Sequence, residues 1–349
     1  MKEFIGFKNG VNLGGWLSQC DYRKEHLESF INEKDIERIA SWGCDHVRLP
    51  FDYNIILDDN GKVLASGMEY LTRCVGWCEK HGLNIILDLH KTMGFSFDKG
   101  EQESGFFDNE HYQDIFVELW CEIAKRFSDK PRSVAFELLN EITERRYAEI
   151  WNRIAARTIS AIRGFAPENY ILIGGIFQNS VFGLTLLDKP CDDHVVFNFH
   201  YYNPLVFTHQ KAYWIDLMQP DCNISYPDSR EKYLTATLDN VGSDLAVPIE
   251  NYGADTVDKR FIEAEMSVAH EVGEKMNVPV YCGEYGVIDK VPGDDMLRWY
   301  DDICSVFNSY NFGRAAWNYK EKDFGITDNC RTEILPQIVK YLAAGDTRK

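Results

Sequence analysis

The chain contains nothing close to the roughly 20 consecutive apolar residues needed to cross a bilayer, although 45% of its 349 residues are hydrophobic. Such a sequence is expected to be globular and soluble. Basic residues are in short supply: 37 Lys and Arg stand against 55 Asp and Glu, a formal charge of -18. A field of that sign repels phosphate backbones and anionic lipid, so neither nucleic acid nor membrane is expected as a partner, whereas a neutral polysaccharide is not penalised. Residues 1–6 lack the charged and then apolar regions of a secretory signal. As written, the chain is expected in the cytoplasm, and outside the cell only if a signal has been removed.

Clustered cysteines and metal-ligand spacings are also missing. The ten cysteines are scattered, mostly inside apolar runs. In a chain long enough to bury its own core, that reads as reduced core residues and not as a disulfide framework. Cys74 and Cys78 lie four apart in a helical pattern, which suits one buried helix face better than a metal site. No His-x-His or His-Glu-x-x-His occurs, so neither a metal nor another cofactor is expected. Repeats, low-complexity segments and linkers are absent.

What is present is an alternation of short β-rich runs with longer amphipathic stretches, the pattern of a parallel sheet. Strands are predicted at residues 10–15, 46–51, 84–90, 134–140, 170–175, 195–202, 278–286 and 313–319. Eight is the number that closes a barrel. Helices are predicted at 33–43, 68–81, 112–127, 147–165, 259–277, 295–310 and 331–344, with only a stunted one near 183–187. In the third, Ile115, Leu119, Trp120, Ile123 and Phe127 form one apolar stripe. The expected fold is therefore α/β, a (β/α)8 TIM barrel, in one domain spanning 1–349. An open doubly wound sheet is the rival, but no Gly-rich phosphate turn follows the first strand. Two long connections, 91–111 and 203–258, follow strands and should emerge at the C-terminal face, where barrel active sites lie. The second, with Tyr213, Trp214, Tyr226 and Tyr233, is expected to form a small subdomain, with its own apolar cluster, that walls a cleft.

Two strand ends carry chemistry. The run Val134-Ala135-Phe136-Glu137-Leu138-Leu139-Asn140-Glu141 ends in a carboxylate that strand parity places on the same side as Glu137. Four residues set Glu137 about 13 Å deeper, where Arg48 is a candidate partner. Glu284 ends the seventh run between Gly283 and Gly286. Two rim carboxyl groups, one protonated and one ionised, are what cleavage of an acetal requires. Taken singly, either glutamate also suits a helix cap, His90 and His200 suit core histidines, and Trp317 a core aromatic. The joint placement at strand ends favours the functional reading.

Gly10-Val11-Asn12-Leu13-Gly14-Gly15-Trp16, His46-Val47-Arg48-Leu49-Pro50-Phe51, Leu139-Asn140-Glu141, Phe199-His200-Tyr201-Tyr202, Gly283-Glu284-Tyr285-Gly286 and Ala316-Trp317-Asn318-Tyr319 together resemble glycoside hydrolase family 5, and within it the clostridial endoglucanase C type. The resemblance spans nearly the whole chain. It implies Glu141 as acid/base, with Asn140 holding the sugar 2-hydroxyl, and Glu284 as nucleophile, held ionised by Arg48 and Tyr202. It further implies His90 and His200 as residues that contact sugar or orient the acid/base, and Trp317 as the aromatic floor at the cleavage point.

The expected activity is a retaining endo-β-glucanase acting, as a monomer, on β-1,4 bonds of cellulose-like or mixed-linkage polysaccharide or its oligosaccharides. Mannanases, xyloglucanases and exo-β-1,3-glucanases share these motifs, and a barrel that binds glycans without cutting them is the alternative of a different class. Outer-subsite candidates are Tyr53, Phe95, Phe97, Phe106, Phe107, Phe177 and the 203–258 insertion. Because two carboxyl groups supply both proton and nucleophile, dialysis against chelator should leave the hydrolysis rate unchanged. Loss of turnover restored by a divalent ion would make ligands of His90 and His200.

Overall fold

The computed structural model describes residues 1–98 and 100–343. Eight short runs, several of them rich in Val, Ile, Leu and Phe, form its parallel strands: β1 (Asn9–Asn12), β2 (His46–Asp52), β3 (Asn84–Lys91), β4 (Val134–Glu137), β5 (Ile171–Gly174), β6 (Val195–Tyr201), β7 (Val280–Tyr285) and β8 (Gly313–Ala316). Each pairs with its sequence neighbours, and β1 pairs with β8, so the sheet closes on itself. The predicted eight-stranded barrel is borne out.

Among the described residues, seven helices of nine residues or more flank the barrel: α1 (Glu33–Ser41), α2 (Ala65–Lys80), α3 (Glu110–Phe127), α4 (Ala148–Arg163), α6 (Lys259–Met276), α7 (Gly293–Ser309) and α8 (Leu335–Ala343). Another, α5 (Arg230–Asn240), lies within the long insertion between β6 and α6. Local sequence sets their starts. Asn32 caps α1 in a reciprocal box with Asp35, Asn109 caps α3 and Asp258 caps α6, each accepting from a backbone N–H otherwise left unpaired. The predicted stripe of α3 is buried, and the Trp120 indole donates to the Leu138 carbonyl at 3.0 Å, tying that helix to the exit of β4. After β5 there are, among the described residues, a four-residue helical turn, Ile176–Asn179, and a 3-10 turn, Phe182–Leu186, and no full helix before β6. Ala344, expected to end the last helix, lies outside the described residues. Among the described residues no helix is long and apolar enough to cross a membrane.

The lumen is layered. At its N-terminal end Phe4 and Phe7 stack on one another, 4.3 Å between ring centroids, and with Ile86, Ala135, Leu172, Val196, Tyr281 and Ala315 they form an apolar plug. Two residues further along the same strand faces stand Arg48, Asp88, Glu137 and Asn198, all buried. The catalytic candidates lie at the C-terminal exits beyond that polar layer.

The insertion departs from expectation. Tyr226 and Tyr233 are fully buried, yet they join the main barrel core and do not form a separate cluster. The Tyr226 hydroxyl donates to Asp302 on α7 at 2.9 Å, and Arg298 on the same helix donates to the Tyr226 carbonyl at 2.7 Å. Tyr213 and Trp214 instead face outward, 84% and 44% exposed. The cysteine expectation needs a correction too: Cys44, Cys74, Cys78, Cys222, Cys282 and Cys304 are buried, but Cys191 and Cys330 are exposed.

Removing one ring from the plug as Phe7→Ala should cost about 3–5 kcal/mol, because the cavity is walled by rigid strands and cannot collapse. Urea unfolding should register that loss, while kcat measured well below the transition stays unchanged, since the plug lies at the far end of the barrel. A lowered kcat at full folding would show that the two layers are mechanically coupled.

Candidate active site

The ladder of β4 ends at Glu137, not at Asn140 as the sequence suggested. Beyond it the backbone leaves the strand, though the Leu138 and Asn140 N–H groups still donate to the Leu172 and Leu89 carbonyls at 3.1 and 3.0 Å. Glu141 takes a left-handed φ of 38°. Strand parity therefore does not aim this carboxylate; a turn does, at a backbone angle few side-chain-bearing residues adopt. Glu284 also sits at an irregularity. Opposite it the β6–β7 register shifts between Phe199 and His200. The Gly283 N–H donates to Asn198 at 2.8 Å, and a Cβ at Gly283 would lie 2.7 Å from that side chain. Gly286 is equally constrained, since a Cβ there would meet the Trp317 carbonyl at 2.2 Å.

Arg48 organises the centre. Its Nε and Nη2 donate to the two oxygens of Glu137 at 2.7 Å each, and Nη2 also meets Asp88 at 3.0 Å. Its Nη1 donates to Glu284 at 2.8 Å and to Asn12 at 2.9 Å. A further bond from Nη2 to Asn140 Oδ1, 3.0 Å, orients that amide so that its buried Nδ2 has no protein partner. The second oxygen of Glu284 accepts from the Tyr202 hydroxyl at 2.9 Å. Glu141 Oε1 lies 2.7 Å from His200 Nδ1. Because Asn179 Nδ2 lies 3.4 Å from His200 Nε2, the network puts the ring proton on Nδ1, facing Glu141.

Burial governs the protonation of this cluster. It lowers His200 well below its ordinary range, with Arg48 adding to the effect, so the ring is neutral. Glu141 is raised well above the usual carboxylate range by burial and by the charge of Glu284. Glu284 is raised as well, not lowered as a neighbouring cation alone implied: burial outweighs Arg48, which only pulls it part of the way back. The two titrate as a coupled pair in which Glu141 holds its proton longer.

At the rim, His90 stacks on Trp317 with ring centroids 5.7 Å apart and an interplanar angle of 3°. Its Nδ1 contacts Asp88 at 2.7 Å, and burial lowers the imidazole to about 4. The Trp317 ring fits against Gly14, where a Cβ would lie 2.4 Å from it, and Asn318 clasps the Gly14 backbone by two bonds of 2.9 Å. Phe97 meets His90 edge-on at 5.0 Å. Phe95, Phe106 and Phe107, expected to face substrate, are buried against one another, so they support the 91–111 loop from beneath. Tyr53 is half-buried, with its hydroxyl on Glu103 at 2.5 Å.

All eight sequence candidates, Arg48, His90, Asn140, Glu141, His200, Tyr202, Glu284 and Trp317, thus come together. Asn12, Asp88, Asn179 and Asn198 are part of the same network and were missed. Asp88 and Asn198 could have been found, since each lies two residues before a named histidine on the same strand face; Asn179 could not, because its left-handed turn has no clear signature. A metal would find donor atoms of Glu141, His200 and Glu284 within 4.8 Å of one another, and His90 is not in that group.

A family model described as cellulase, glycosyl hydrolase family 5, matches residues 8–323. The chain belongs to glycosyl hydrolase family 5. Cellodextrinase A of Ruminococcus flavefaciens is 42% identical over 90% of this chain and 86% of its own length. Endoglucanase C of Acetivibrio thermocellus is 38% identical over 98% of this chain and its whole length. Among solved structures, Thermotoga maritima Cel5A in complex with cellobiose superposes with a TM-score of 0.76 at 22% identity, covering 98% of this chain and 100% of that one, a likeness of fold.

In this family 5 hydrolase one guanidinium serves three buried carboxyl groups, which has a consequence for stability. An acid whose folded pKa is raised stabilises the fold fully below its unfolded value, and that stabilisation is lost as pH rises through the folded one. For Asp88 the window runs from 3.8 to about 7. Arg48→Met should push Asp88, Glu137 and Glu284 further up and cost about 3–5 kcal/mol at neutral pH. The fall in Tm relative to wild type should be larger at pH 8 than at pH 5; an equal fall at both would mean that the carboxyl groups do not depend on Arg48.

Proposed function

We propose that this glycoside hydrolase is a retaining endo-β-glucanase that cleaves β-1,4 bonds of cellulose-like or mixed-linkage glucan, with Glu141 as acid/base and Glu284 as nucleophile. The observation that carries the reading is the closeness of their oxygens, within 4.8 Å. Retaining enzymes hold their two carboxyl groups about 5–5.5 Å apart, inverting ones about 6.5–9.5 Å to admit a water. The names of the endoglucanase and cellodextrinase relatives supply the substrate class.

In the first step Glu284, charge-stabilised by Arg48 and Tyr202, attacks the anomeric carbon while Glu141 gives its proton to the departing oxygen. In the second, Glu141, now a carboxylate, takes a proton from water as that water attacks the same carbon and releases Glu284. Neutral His200 holds Glu141 in place without competing for its proton. Asn140 offers its unpartnered amide N–H to the sugar 2-hydroxyl, and the Trp317 ring supports the sugar at the cleavage point, beside His90. Every one of these groups comes from one chain, so a monomer suffices. We take residues 1–349 as one catalytic domain in which the 203–258 insertion walls the cleft. Its start touches the centre through His209, 5.0 Å from the Tyr202 ring, and exposed Trp214 lies 6.1 Å beyond.

A second reading, action on short cello-oligosaccharides, is favoured by the cellodextrinase relative. Viscometry of carboxymethyl-cellulose separates them: an endo enzyme collapses viscosity before many reducing ends appear, whereas an oligosaccharide hydrolase leaves it nearly unchanged. Roles within the pair are tested by azide rescue on an aryl cellobioside. Glu141→Ala should yield the β-glycosyl azide through two inversions, and Glu284→Ala the α-azide through one. The same anomer from both variants would overturn the assignment.

A further inference from the structure

Tyr202 lies one residue past the end of β6, where the ladder no longer fixes the backbone. Its hydroxyl nevertheless reaches Glu284 at 2.9 Å. The residues on either side of it are held by one carboxylate: the Tyr201 hydroxyl donates to Glu265 Oε2 at 2.7 Å, and Asn203 Nδ2 donates to Glu265 Oε1 at 2.8 Å. Glu265 lies on α6, outside the barrel wall, and touches no group at the reacting centre. Alternation along the strand sends Tyr201 outward to the helix while His200 and Tyr202 face the site. The Trp299 indole adds a longer bond to the Asn203 carbonyl, 3.3 Å, and the Thr208 hydroxyl donates to the Tyr202 carbonyl.

A carboxylate placed between barrel and helix with no cation beside it is costly. Among the described residues no Lys or Arg pairs with Glu265; the two donors above are what oppose the effect of burial, which raises the acid to about 7. Packing alone would be served by an apolar side chain here. What a carboxyl group adds is two oxygens spaced to bond residues 201 and 203 together.

We propose that Glu265 is a positioning residue for the nucleophile: by gripping Tyr201 and Asn203 it fixes Tyr202 between them, with the Tyr202 hydroxyl on Glu284. The inference rests on the assignment of Glu284 given above. Without the grip, residues 201–203 gain freedom and the hydrogen bond to Glu284 is made only part of the time. Glu284 then loses a donor that favours its charged form, and its pKa rises.

The test compares kcat/KM against pH on 4-nitrophenyl β-cellobioside for wild type, Glu265→Ala, Glu265→Gln, Tyr202→Phe and the Glu265→Ala/Tyr202→Phe double variant. The acidic limb of Glu265→Ala should move up by about one pH unit, in the same direction as Tyr202→Phe. The double variant should move no further than Tyr202→Phe alone, because both changes remove the same bond. Glutamine should restore most of the limb, since its amide accepts from Tyr201 and donates to a flipped Asn203. A limb that stays at the wild-type position in Glu265→Ala, even with a lowered Tm, overturns the proposal, as do additive shifts in the double variant or a Gln variant as displaced as Ala. If Glu265→Ala does not fold, Glu265→Asp, too short to hold both partners, replaces it with the same reading. Trapping with a 2-deoxy-2-fluoro-cellobioside followed by peptide mass spectrometry keeps the two claims apart. A label on Glu284 with an unmoved limb sinks the positioning role alone, and a label elsewhere sinks the nucleophile assignment beneath it.

Discussion

The bidentate grip of Arg48 on Glu137, at 2.7 Å from both oxygens, is the interaction on which the rest of the centre depends. It fixes the plane of the guanidinium, and that plane fixes everything the remaining N–H groups can reach. Nη1 is left pointing at Glu284 and Nη2 at Asn140 and Asp88. A lysine could supply the charge but not the fork, so the direction in which Glu284 is held would be lost. Glu137 holds the cation, and that cation pulls Glu284 toward its charged form.

That arrangement explains why the barrel is divided along its axis. A charged layer in a lumen is tolerable only if each group is bonded, and the Asn198 amide supplies one such bond to Glu137 at 2.7 Å. Below that layer the plug of Phe4, Phe7 and Tyr281 excludes water from beneath the Arg48 cluster. Low local polarity strengthens the bonds of Arg48, and the same dryness raises every carboxyl group around it. In this fold stability usually comes from the closed end and chemistry from the open one.

Much of this was legible in the sequence because the barrel writes itself as alternation. Eight apolar runs and an amphipathic stripe such as that of α3 follow from periodicities of two and 3.6 residues, which packing enforces. The glutamates were legible as strand-end residues, but the reason for their aim was not. Parity assigned Glu141 correctly to the lumen side while its true cause, a left-handed turn after Glu137, has no sequence signature. Burial was also unreadable. Phe95, Phe106 and Phe107 look like sugar platforms in a loop, and only tertiary contact shows them to be its floor. For Glu284, the proximity of a cation was inferred without the desolvation that outweighs it.

The central claim is that one buried arginine makes Glu284 give up its proton before Glu141, although the two side chains are chemically the same. The most direct measurement is a 13C NMR titration of the enzyme labelled at glutamate carboxyl carbons, with the two resonances assigned from Glu141→Gln and Glu284→Gln. The expected result is two separated steps, Glu284 ionising at the lower pH and Glu141 remaining protonated through it. Ionisation of Glu141 first, or a single step near the ordinary carboxylate value for both, would contradict the claim.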